Sequence, residues 1–547
     1  MTHTPAVWDY LIVTAANEQK AAAYDLQIQA RRRAGGLADV RELLVVPDSE
    51  GRRVGSGGST LQCLVEVLRR EGAIQEDSGT PITETILSRL RILIVHAGGD
   101  SRRLPAYSPC GKIFVPLPGP TPPESSLSLF DRLVPAFLAL PENRHRAGQI
   151  VVASGDALLL FDSAEIDLSR PGINALGVRV SPDEAARHGV LCPNTDGTVR
   201  CYLQKPQVAE QAKAGAIDIQ GQSVLDIGVM SMDATAAACL LRAFGTDSAR
   251  SAIASHGIDL YREICCALGT EATLEHYRAS ARSSGSKVEE AVLGDLFDQL
   301  RSTPFNVQVV DRCAFLHFGT TRQLITSGRE LATHDWGAPP PNGILVLDSE
   351  LGNGARIAGA DCWVEGCRLQ APLTLHRWSV AVGIDVSEPL ELPEGACLDT
   401  TPGFDRQGEA AWFIRCYGIE DTFKDSVGSG ATFCGRKLTD WLQQVGAAYV
   451  QIWDTDTPEA ERTLWNARVF PAEKENRAFL DWRWMFDIDS ATPEQKKKFL
   501  EADRYSSAEI ALWVDHRGFQ RRRAEIRHCN ESATQAALGV FDGVPRR

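Results

Sequence analysis

Several features are missing from this sequence, and each absence narrows the class of protein. The 547 residues contain no uninterrupted apolar run close to the ~20 residues that span a bilayer, so no membrane partner is expected. The 14 cysteines include no Cys-x-x-Cys pair, and the first residues lack a secretion-signal pattern, which predicts reduced thiols in a cytoplasmic protein. Basic residues are also outnumbered by acidic ones, 57 against 71. The net charge of −14 argues against a broad nucleic-acid surface, so no nucleic-acid partner is expected.

The remaining composition is that of an ordinary globular protein. Apolar residues make up 44% of the chain and charged residues 23%, values that are close to the average of globular domains. A chain of 547 residues is too long for a single hydrophobic core. Length alone therefore predicts about three or four domains at most.

Residues 91–118 carry the strongest functional signal. The run Ile92–Val95 is apolar and mostly β-branched, which predicts a central strand of a parallel sheet. It is followed by Gly98 and Gly99, where the backbone can approach a bound group and offer N–H donors. Three cations come next: Arg102, Arg103 and Lys112. This combination favours a polyphosphate ligand, although the spacing is not that of a P-loop.

The same segment resembles the signature loop of the sugar-1-phosphate nucleotidyltransferases, Ala-Gly-Gly-x-Gly-Thr-Arg-Leu, a spacer, then Pro-Lys. Ala97–Gly99, Arg103 and Lys112 match that pattern, whereas Ser101-Arg102 and Gly111 depart from it. The resemblance implies catalytic roles for Arg103 and Lys112, and nucleotide binding by the two glycines and the arginine at 102. The alternative is an ordinary strand-to-helix turn with solvated arginines.

A second glycine loop, Val54–Leu61, precedes the first and opens onto a predicted helix, Thr60–Arg70. We expect Ser59 to cap this helix and the amides of Gly57 and Gly58 to point outwards, where they would bind an anion. The alternative is a flexible turn. The candidate nucleotide-binding residues of this loop are Gly55, Gly57, Gly58 and Ser59.

The sequence also predicts the first strand and the first helix of the chain. Trp8–Ala15 predicts a strand, and Glu18–Arg33 predicts a helix whose apolar positions are Ala22, Leu26 and Ala30. Together with the two glycine loops, this part of the chain resembles the fucose-1-phosphate guanylyltransferase (GDP-fucose pyrophosphorylase) family, whose module also forms the front half of bifunctional fucokinase/pyrophosphorylases. The stretches that carry the resemblance are Trp8–Tyr10, Val13–Ala16, Gly55–Leu61, His96–Gly99, Cys416–Lys424 and Leu464–Pro471.

A candidate metal ligand follows the predicted strand Gln149–Ser154. Asp156 comes just after the strand's carboxyl end, where open α/β sheets bind their ligands. The pair Gly155-Asp156 resembles the superfamily's Gly-Asp, whose aspartate holds magnesium, so the resemblance implies Mg²⁺ as the cofactor. The alternative role for Asp156 is a helix N-cap.

Candidate sugar-phosphate residues lie further along. His188–Leu191 and Gln204–Pro206 resemble the superfamily's Gly-Val hairpin and its Glu-Lys-Pro, which implies that Lys205 contacts the sugar phosphate. Leu225–Val229 takes the place of the superfamily segment that meets the sugar, so the resemblance makes Asp226 a candidate for a hydroxyl contact or for metal support. His317 stands where many relatives place a magnesium-binding aspartate; because magnesium prefers oxygen ligands, a structural or substrate-contacting histidine is at least as good an interpretation. The four candidates are His188, Lys205, Asp226 and His317.

The pattern changes after the proline-rich linker Trp336–Asn342. Apolar residues then recur every six positions, with glycines between them, which predicts a parallel β-helix. They are Leu351, Ile357, Trp363, Leu369 and Leu375, and after an insertion Ile384, Leu390 and Ala396. No acyl-CoA signal supports an acyltransferase, so we interpret the β-helix as support or a self-association surface.

These observations predict an α/β chain with a Rossmann-like nucleotidyltransferase domain and a mixed, mostly parallel sheet at 1–335. A parallel β-helix at 336–425 and a partly helical region at 426–547 follow. The resemblance implies that β-L-fucose 1-phosphate and GTP are converted to GDP-fucose and pyrophosphate. Two alternatives stay open: another sugar 1-phosphate, such as mannose or a heptose, or a non-catalytic sugar-nucleotide sensor.

Overall fold

The computed structural model describes residues 8–72, 80–120, 126–143 and 148–541. The chain divides into two compact units. The first comprises Met1–Gly99 and Asp131–Phe315, and the second comprises Asp100–Phe130 and Leu316–Arg547. The chain therefore enters the second unit directly after the glycine pair Gly98-Gly99. The predicted division into three domains stays a prediction.

The described strands, in chain order, are β1 (Trp8–Ala15), β2 (Val40–Pro47), β3 (Arg91–His96), β4 (Pro116–Leu117), β5 (Leu127–Ser128), β6 (Gln149–Ser154), β7 (Ala157–Leu160), β8 (Ile173–Val180), β9 (Gly189–Pro193), β10 (Val199–Gln204), β11 (Ser223–Met232), β12 (Phe305–Val309), β13 (Ala314–His317), β14 (Ile344–Leu347), β15 (Glu350–Leu351), β16 (Arg356–Gly359), β17 (Cys362–Glu365), β18 (Arg368–Leu369), β19 (Pro372–Leu375), β20 (Val380–Val382), β21 (Asp385–Val386), β22 (Leu390–Leu392), β23 (Ala396–Phe404), β24 (Ala410–Gly418), β25 (Thr432–Phe433), β26 (Arg436–Lys437), β27 (Phe470–Glu473) and β28 (Arg504–Tyr505).

The described α-helices are α1 (Glu18–Arg33), α2 (Gly55–Arg70), α3 (Thr80–Leu87), α4 (Leu129–Leu138), α5 (Pro182–Ala185), α6 (Val208–Lys213), α7 (Ala234–Ala243), α8 (Asp247–His256), α9 (Leu274–Ser283), α10 (Glu290–Leu300), α11 (Thr321–Trp336), α12 (Leu438–Val445), α13 (Tyr449–Ile452), α14 (Pro493–Glu501), α15 (Ser507–Trp513) and α16 (His516–Phe541). Among the described residues, no helix is long and apolar enough to cross a membrane.

A nine-stranded mixed sheet organises the first unit. Its main path runs β10-β9-β11-β6-β3-β1-β2, and β8 pairs with both β11 and β12. The pairs β1–β2, β1–β3, β3–β6 and β8–β12 are parallel, whereas β11 runs antiparallel to its neighbours. Ile92–Val95 is wholly buried at the centre of this sheet, as its apolar pattern predicts. The predicted α/β class with a mixed sheet is confirmed.

Helix α1 has the predicted bounds but a different buried face. Asn17 caps it by accepting a hydrogen bond from the Lys20 N–H. The buried side chains include Tyr24 and Ile28, whereas the predicted apolar positions Ala22, Leu26 and Ala30 are exposed. The predicted face is therefore wrong. The larger side chains of Tyr24 and Ile28 bury more apolar area than the two alanines could, which favours the observed orientation.

Short parallel strands build much of the second unit. Each strand pairs in parallel with the third strand after it, giving the ladders β14-β17-β20-β23, β15-β18-β21 and β16-β19-β22. Within them Leu369 pairs with Leu351 and with Val386 on its other side, and the buried Leu373 pairs with Leu390. The first ladder then continues antiparallel through β24, β27 and β28. In the C-terminal region the rings of Trp441 and Trp484 stack with their centroids 6.2 Å apart.

Candidate functional site

The first glycine pair lies at the carboxyl end of β3 in the first unit. The Ala97 N–H donates to Thr14 Oγ1 at 3.1 Å, and the Ala97 carbonyl accepts from the Tyr24 hydroxyl at 3.1 Å. These two contacts fix the backbone just before the turn. Gly98 is exposed, and Gly99 has φ +101°, with no atom within 4 Å of the position that a Cβ would take. The backbone of this turn is therefore open to a bound group.

The second glycine loop differs from its prediction. Helix α2 begins at Gly55, five residues earlier than expected, and the N–H groups of Gly57 and Gly58 donate to the Ile258 carbonyl at 2.8 and 3.1 Å. The expectation that these amides point outwards is therefore wrong. The reason is close packing: a Cβ on Gly55 would lie 2.3 Å from the Ile258 oxygen. The glycines let two backbone segments approach each other.

Ser59 also has a different role from the predicted one. It lies inside α2 rather than at its start, and its hydroxyl donates to Asp48 Oδ1 at 2.7 Å. Both side chains are buried. The predicted helix cap is therefore wrong, and Ser59 instead ties α2 to the residue that follows β2.

Sequence reasoning missed the role of His96, the last residue of β3. Its Nε2 lies 2.9 Å from Thr60 Oγ1, and the Thr60 hydroxyl is itself 2.9 Å from the Ser56 carbonyl. Because that hydroxyl has one proton to donate to Ser56, the histidine Nε2 acts as the donor to Thr60. Burial lowers the pKa of His96 to about 4, so the ring is neutral at physiological pH.

Two carboxylates lie in one part of the first unit. Asp156 is half-buried and accepts from the Ser154 hydroxyl at 2.7 Å. Asp226 is buried and accepts from the Tyr202 hydroxyl at 2.9 Å and the Gly228 N–H at 2.8 Å; burial raises its pKa to about 6. A Cβ on Gly228, the donor to Asp226, would lie 3.1 Å from Cβ of Ser154, the donor to Asp156, and 3.4 Å from the Tyr261 hydroxyl. Burial, followed by the charge of Asp226, raises the pKa of Tyr261.

The observed context decides one alternative for Asp156. The residue is followed at once by strand β7, Ala157–Leu160, and not by a helix. A helix-cap role is therefore wrong. Within the described ranges, no group of three or more His, Cys, Asp or Glu side chains is arranged to hold a metal ion. Any cation here would depend on one or two carboxylates together with oxygen atoms from substrate or water, an arrangement that suits magnesium.

The β9–β10 hairpin brings the predicted sugar-phosphate residues together. The Lys205 N–H donates to the His188 carbonyl at 2.9 Å, and Lys205 has a left-handed backbone, φ +51°, with an exposed side chain. The His188 ring meets Phe315 edge-on at 5.4 Å. At Gly189 a Cβ would lie 1.7 Å from the Tyr202 hydroxyl, the same group that binds Asp226. His188, Lys205 and Asp226 therefore belong to one connected cluster.

In the second unit, Arg103 and Lys112 lie beside the start of helix α11. A Cβ on Gly319 would lie 3.8 Å from Nη2 of Arg103 and 3.9 Å from Nζ of Lys112. Thr320 caps the helix, and the Thr321 N–H donates to the Arg103 carbonyl at 3.0 Å. Two cations therefore lie next to the amino end of a 16-residue helix, an arrangement that favours an anion.

The other two candidates of the second unit have distinct surroundings. Arg102 forms an ion pair with Asp100 at 2.9 Å and lies over the Trp465 ring at 5.7 Å. The Asp100 carboxylate therefore offsets part of the positive charge of Arg102. His317 is half-buried at the end of β13, two residues before Gly319. The structure brings Arg103, Lys112 and the start of α11 together, a proximity that the sequence did not predict.

The fold is thus a mixed α/β architecture with a glycine turn at the end of a buried parallel strand. Residues 84–475 match the family model described as the fucose pyrophosphorylase domain. The chain therefore belongs to the fucose pyrophosphorylase family.

Named relatives agree with this membership. The chain is 30% identical over 522 residues to mouse (Mus musculus) fucose-1-phosphate guanylyltransferase, covering 85% of this chain and 83% of the relative. It is 25% identical over 544 residues to the human (Homo sapiens) protein of the same name, covering 85% and 81%. The Arabidopsis thaliana bifunctional fucokinase/GDP-fucose pyrophosphorylase is 26% identical over 561 residues, covering 92% of this chain and 50% of the relative. The chain spans about half the length of the bifunctional relatives that it matches.

Proposed function

We propose that this chain is a guanylyltransferase that converts β-L-fucose 1-phosphate and GTP to GDP-L-fucose and pyrophosphate. The supporting observation is its membership in the fucose pyrophosphorylase family, together with an 83% coverage of a relative named for this activity. The cation pair Arg103 and Lys112 at the start of α11 is the part of the structure that best suits a nucleotide's phosphates.

In the proposed reaction a phosphate oxygen of the sugar phosphate attacks the α-phosphorus of GTP, in line with the departing pyrophosphate. Arg103 and Lys112 offset the negative charge that develops, while Gly98 and Gly99 offer backbone N–H donors to the nucleotide. Arg102 assists nucleotide binding. This chemistry needs no covalent nucleophile. Burial raises the pKa of thiols such as Cys63 and Cys265, so they stay protonated and unreactive.

Lys205, His188 and Asp226 are proposed to hold the sugar phosphate. The lysine is the cation of the β9–β10 cluster, and its exposed side chain is free to meet a phosphate. The buried carboxylate of Asp226 accepts hydrogen bonds in the structure, which suits an additional hydroxyl contact. His317 is proposed as a substrate contact rather than as a metal ligand.

Asp156 is the residue that we propose to hold Mg²⁺. The half-buried carboxylate accepts from Ser154, which lies beside Gly228, the donor to Asp226. Magnesium is commonly bound by one or two carboxylates plus substrate phosphates. Bound magnesium supplies positive charge to the phosphates of the nucleotide. The roles proposed for Arg103, Lys112 and Lys205 do not depend on how the magnesium ion is coordinated.

We propose that the three parallel ladders form the parallel β-helix predicted at 336–425, because each strand from β14 to β20 pairs in parallel with the third strand after it. This β-helix would support the second unit or mediate self-association. The described cysteines are free thiols, which supports the proposed cytoplasmic location. No nucleic acid is proposed as a partner.

A substrate matrix tests the proposal. Pyrophosphate release would be measured with four nucleoside triphosphates against fucose, mannose and heptose 1-phosphates, each with magnesium and with a chelator. We expect release with GTP and fucose 1-phosphate. Release with mannose 1-phosphate alone would keep the reaction and replace the sugar. Tight binding of GTP or GDP-fucose without release under any combination would establish a sensor and overturn the enzyme.

A further inference from the structure

The segment that carries Arg103 and Lys112 is attached to the second unit through a buried tyrosine. Tyr107 lies between these two cations in the sequence and is wholly buried. Its hydroxyl accepts from Trp363 Nε1 at 2.8 Å and donates to Glu365 Oε2 at 3.1 Å. Both partners belong to strand β17. The signature segment is thus held by strand residues that come far later in the chain.

Glu365 is in turn held by the C-terminal helix. Arg523 of α16 donates from Nε and Nη2 to the two carboxylate oxygens of Glu365, at 2.7 Å each. This fork-to-fork geometry sets the orientation of the carboxylate as well as its charge. Burial raises the pKa of Glu365, and the Arg523 guanidinium opposes that rise.

A second contact of the same kind lies near the other end of the segment. Ser126 donates its hydroxyl to Asp348 Oδ2 at 2.6 Å, and Arg527 lies 3.5 Å from the same carboxylate. Arg523 and Arg527 are one helical turn apart, so they lie on the same side of α16. One helix therefore reaches the 100–130 segment through two acidic residues, Glu365 and Asp348.

We propose that Glu365 and Asp348, paired with Arg523 and Arg527, are positioning residues that set Arg103 and Lys112 for binding a nucleotide's phosphates. This inference rests on the proposed function. A buried ion pair adds little stability compared with apolar residues of the same volume, whereas it does fix orientation when every partner is satisfied. Displacing a catalytic group by about 1 Å can cost about 100-fold in rate.

The first test removes one hydroxyl and leaves both ion pairs in place. Tyr107→Phe is compared with Tyr505→Phe, whose hydroxyl is also bonded inside the second unit, to Asp503 at 2.9 Å and to the Arg406 N–H at 2.7 Å. We expect Tyr107→Phe to lower kcat for pyrophosphate release at least about tenfold. Tyr505→Phe should stay within about twofold of the parent chain. Equal kcat losses in the two variants, or none in either, would overturn the positioning role.

The second test uses two neighbouring arginines of α16. Arg522 pairs with Asp385 and donates to the Gly366 carbonyl at 3.1 Å, so Arg522→Lys is the matched control for Arg523→Lys. Hydrogen–deuterium exchange of peptides covering residues 104–114 should accelerate in the Arg523 variant only. Equal exchange in both variants overturns the inference.

The two tests separate this inference from the proposed function. Should the parent chain release no pyrophosphate with any sugar phosphate, the proposed function fails, and the exchange comparison still decides whether α16 holds the segment. Should the parent chain be active while Arg523→Lys changes neither exchange nor kcat, the positioning role fails and the enzyme stands.

Discussion

The backbone N–H of Gly57 donates to the Ile258 carbonyl at 2.8 Å, which joins the start of α2 to a chain segment some two hundred residues later. The contact explains why this loop is rich in glycine. It also argues against a phosphate-binding role for the second glycine loop. The Gly57 N–H already donates to a carbonyl, so it is not available to a phosphate in this conformation.

The first prediction concerns that close approach. Gly55 has φ +78°, and a Cβ there would lie 2.3 Å from the Ile258 oxygen. Gly35 has a similar φ of +88° with no neighbour within 4 Å. Gly35→Ala should cost about 1–2 kcal/mol from its left-handed backbone alone, and Gly55→Ala distinctly more. Denaturant unfolding compares the two variants, and equal losses would show that the contact is unimportant.

How far the sequence predicted this protein depends on the range of the interactions involved. The bounds of β1 and α1 followed from local patterns, and the Gly-Asp at the end of β6 lies where expected. The buried face of α1 did not follow, because it depends on what packs against the helix. The partners of Gly57 and Tyr107 are distant in sequence, and no local signal identifies Ile258 or Glu365 as an acceptor.

The second prediction tests the cation pair. Lys112→Ala should lower kcat/KM for pyrophosphate release by about 100-fold or more, the scale of losing one preorganised charge contact. Lys437→Ala, at an exposed lysine of the same unit, is the control and should be neutral. Unchanged turnover in a correctly folded Lys112 variant would remove this lysine from the mechanism.

The third prediction concerns magnesium. Asp156→Asn keeps the shape of the side chain but removes its charge, so activity should fall and recover in part at higher magnesium concentration. Asp183→Asn, at an exposed position of α5, should behave like the parent chain. Magnesium titrations of all three proteins provide the measurement. A parental rate in the Asp156 variant at every magnesium concentration would exclude the proposed ligand.

The fourth prediction uses the pKa of Asp226, which burial raises from 3.8 to about 6. The native state therefore holds this proton more tightly than the unfolded state, and the carboxyl reduces stability as pH rises from about 4 to about 6. Asp226→Asn removes this dependence. Its stability relative to the parent should thus improve by up to about 3 kcal/mol across that window. The free energy of unfolding of both proteins would be measured at pH 4 and pH 7. A difference between them that does not change with pH would contradict the raised pKa of Asp226.

The fifth prediction separates the sugar phosphate from the nucleotide. Lys205 lies on the β9–β10 cluster with His188, whereas Arg103 and Lys112 lie at the start of α11. Lys205→Ala should therefore raise the KM for fucose 1-phosphate much more than the KM for GTP, because it removes a charge-assisted contact with one substrate only. Lys213→Ala, in α6 shortly after the hairpin, is the matched control. Equal increases in both KM values would mean that Lys205 acts on the fold of the hairpin and not on the sugar phosphate.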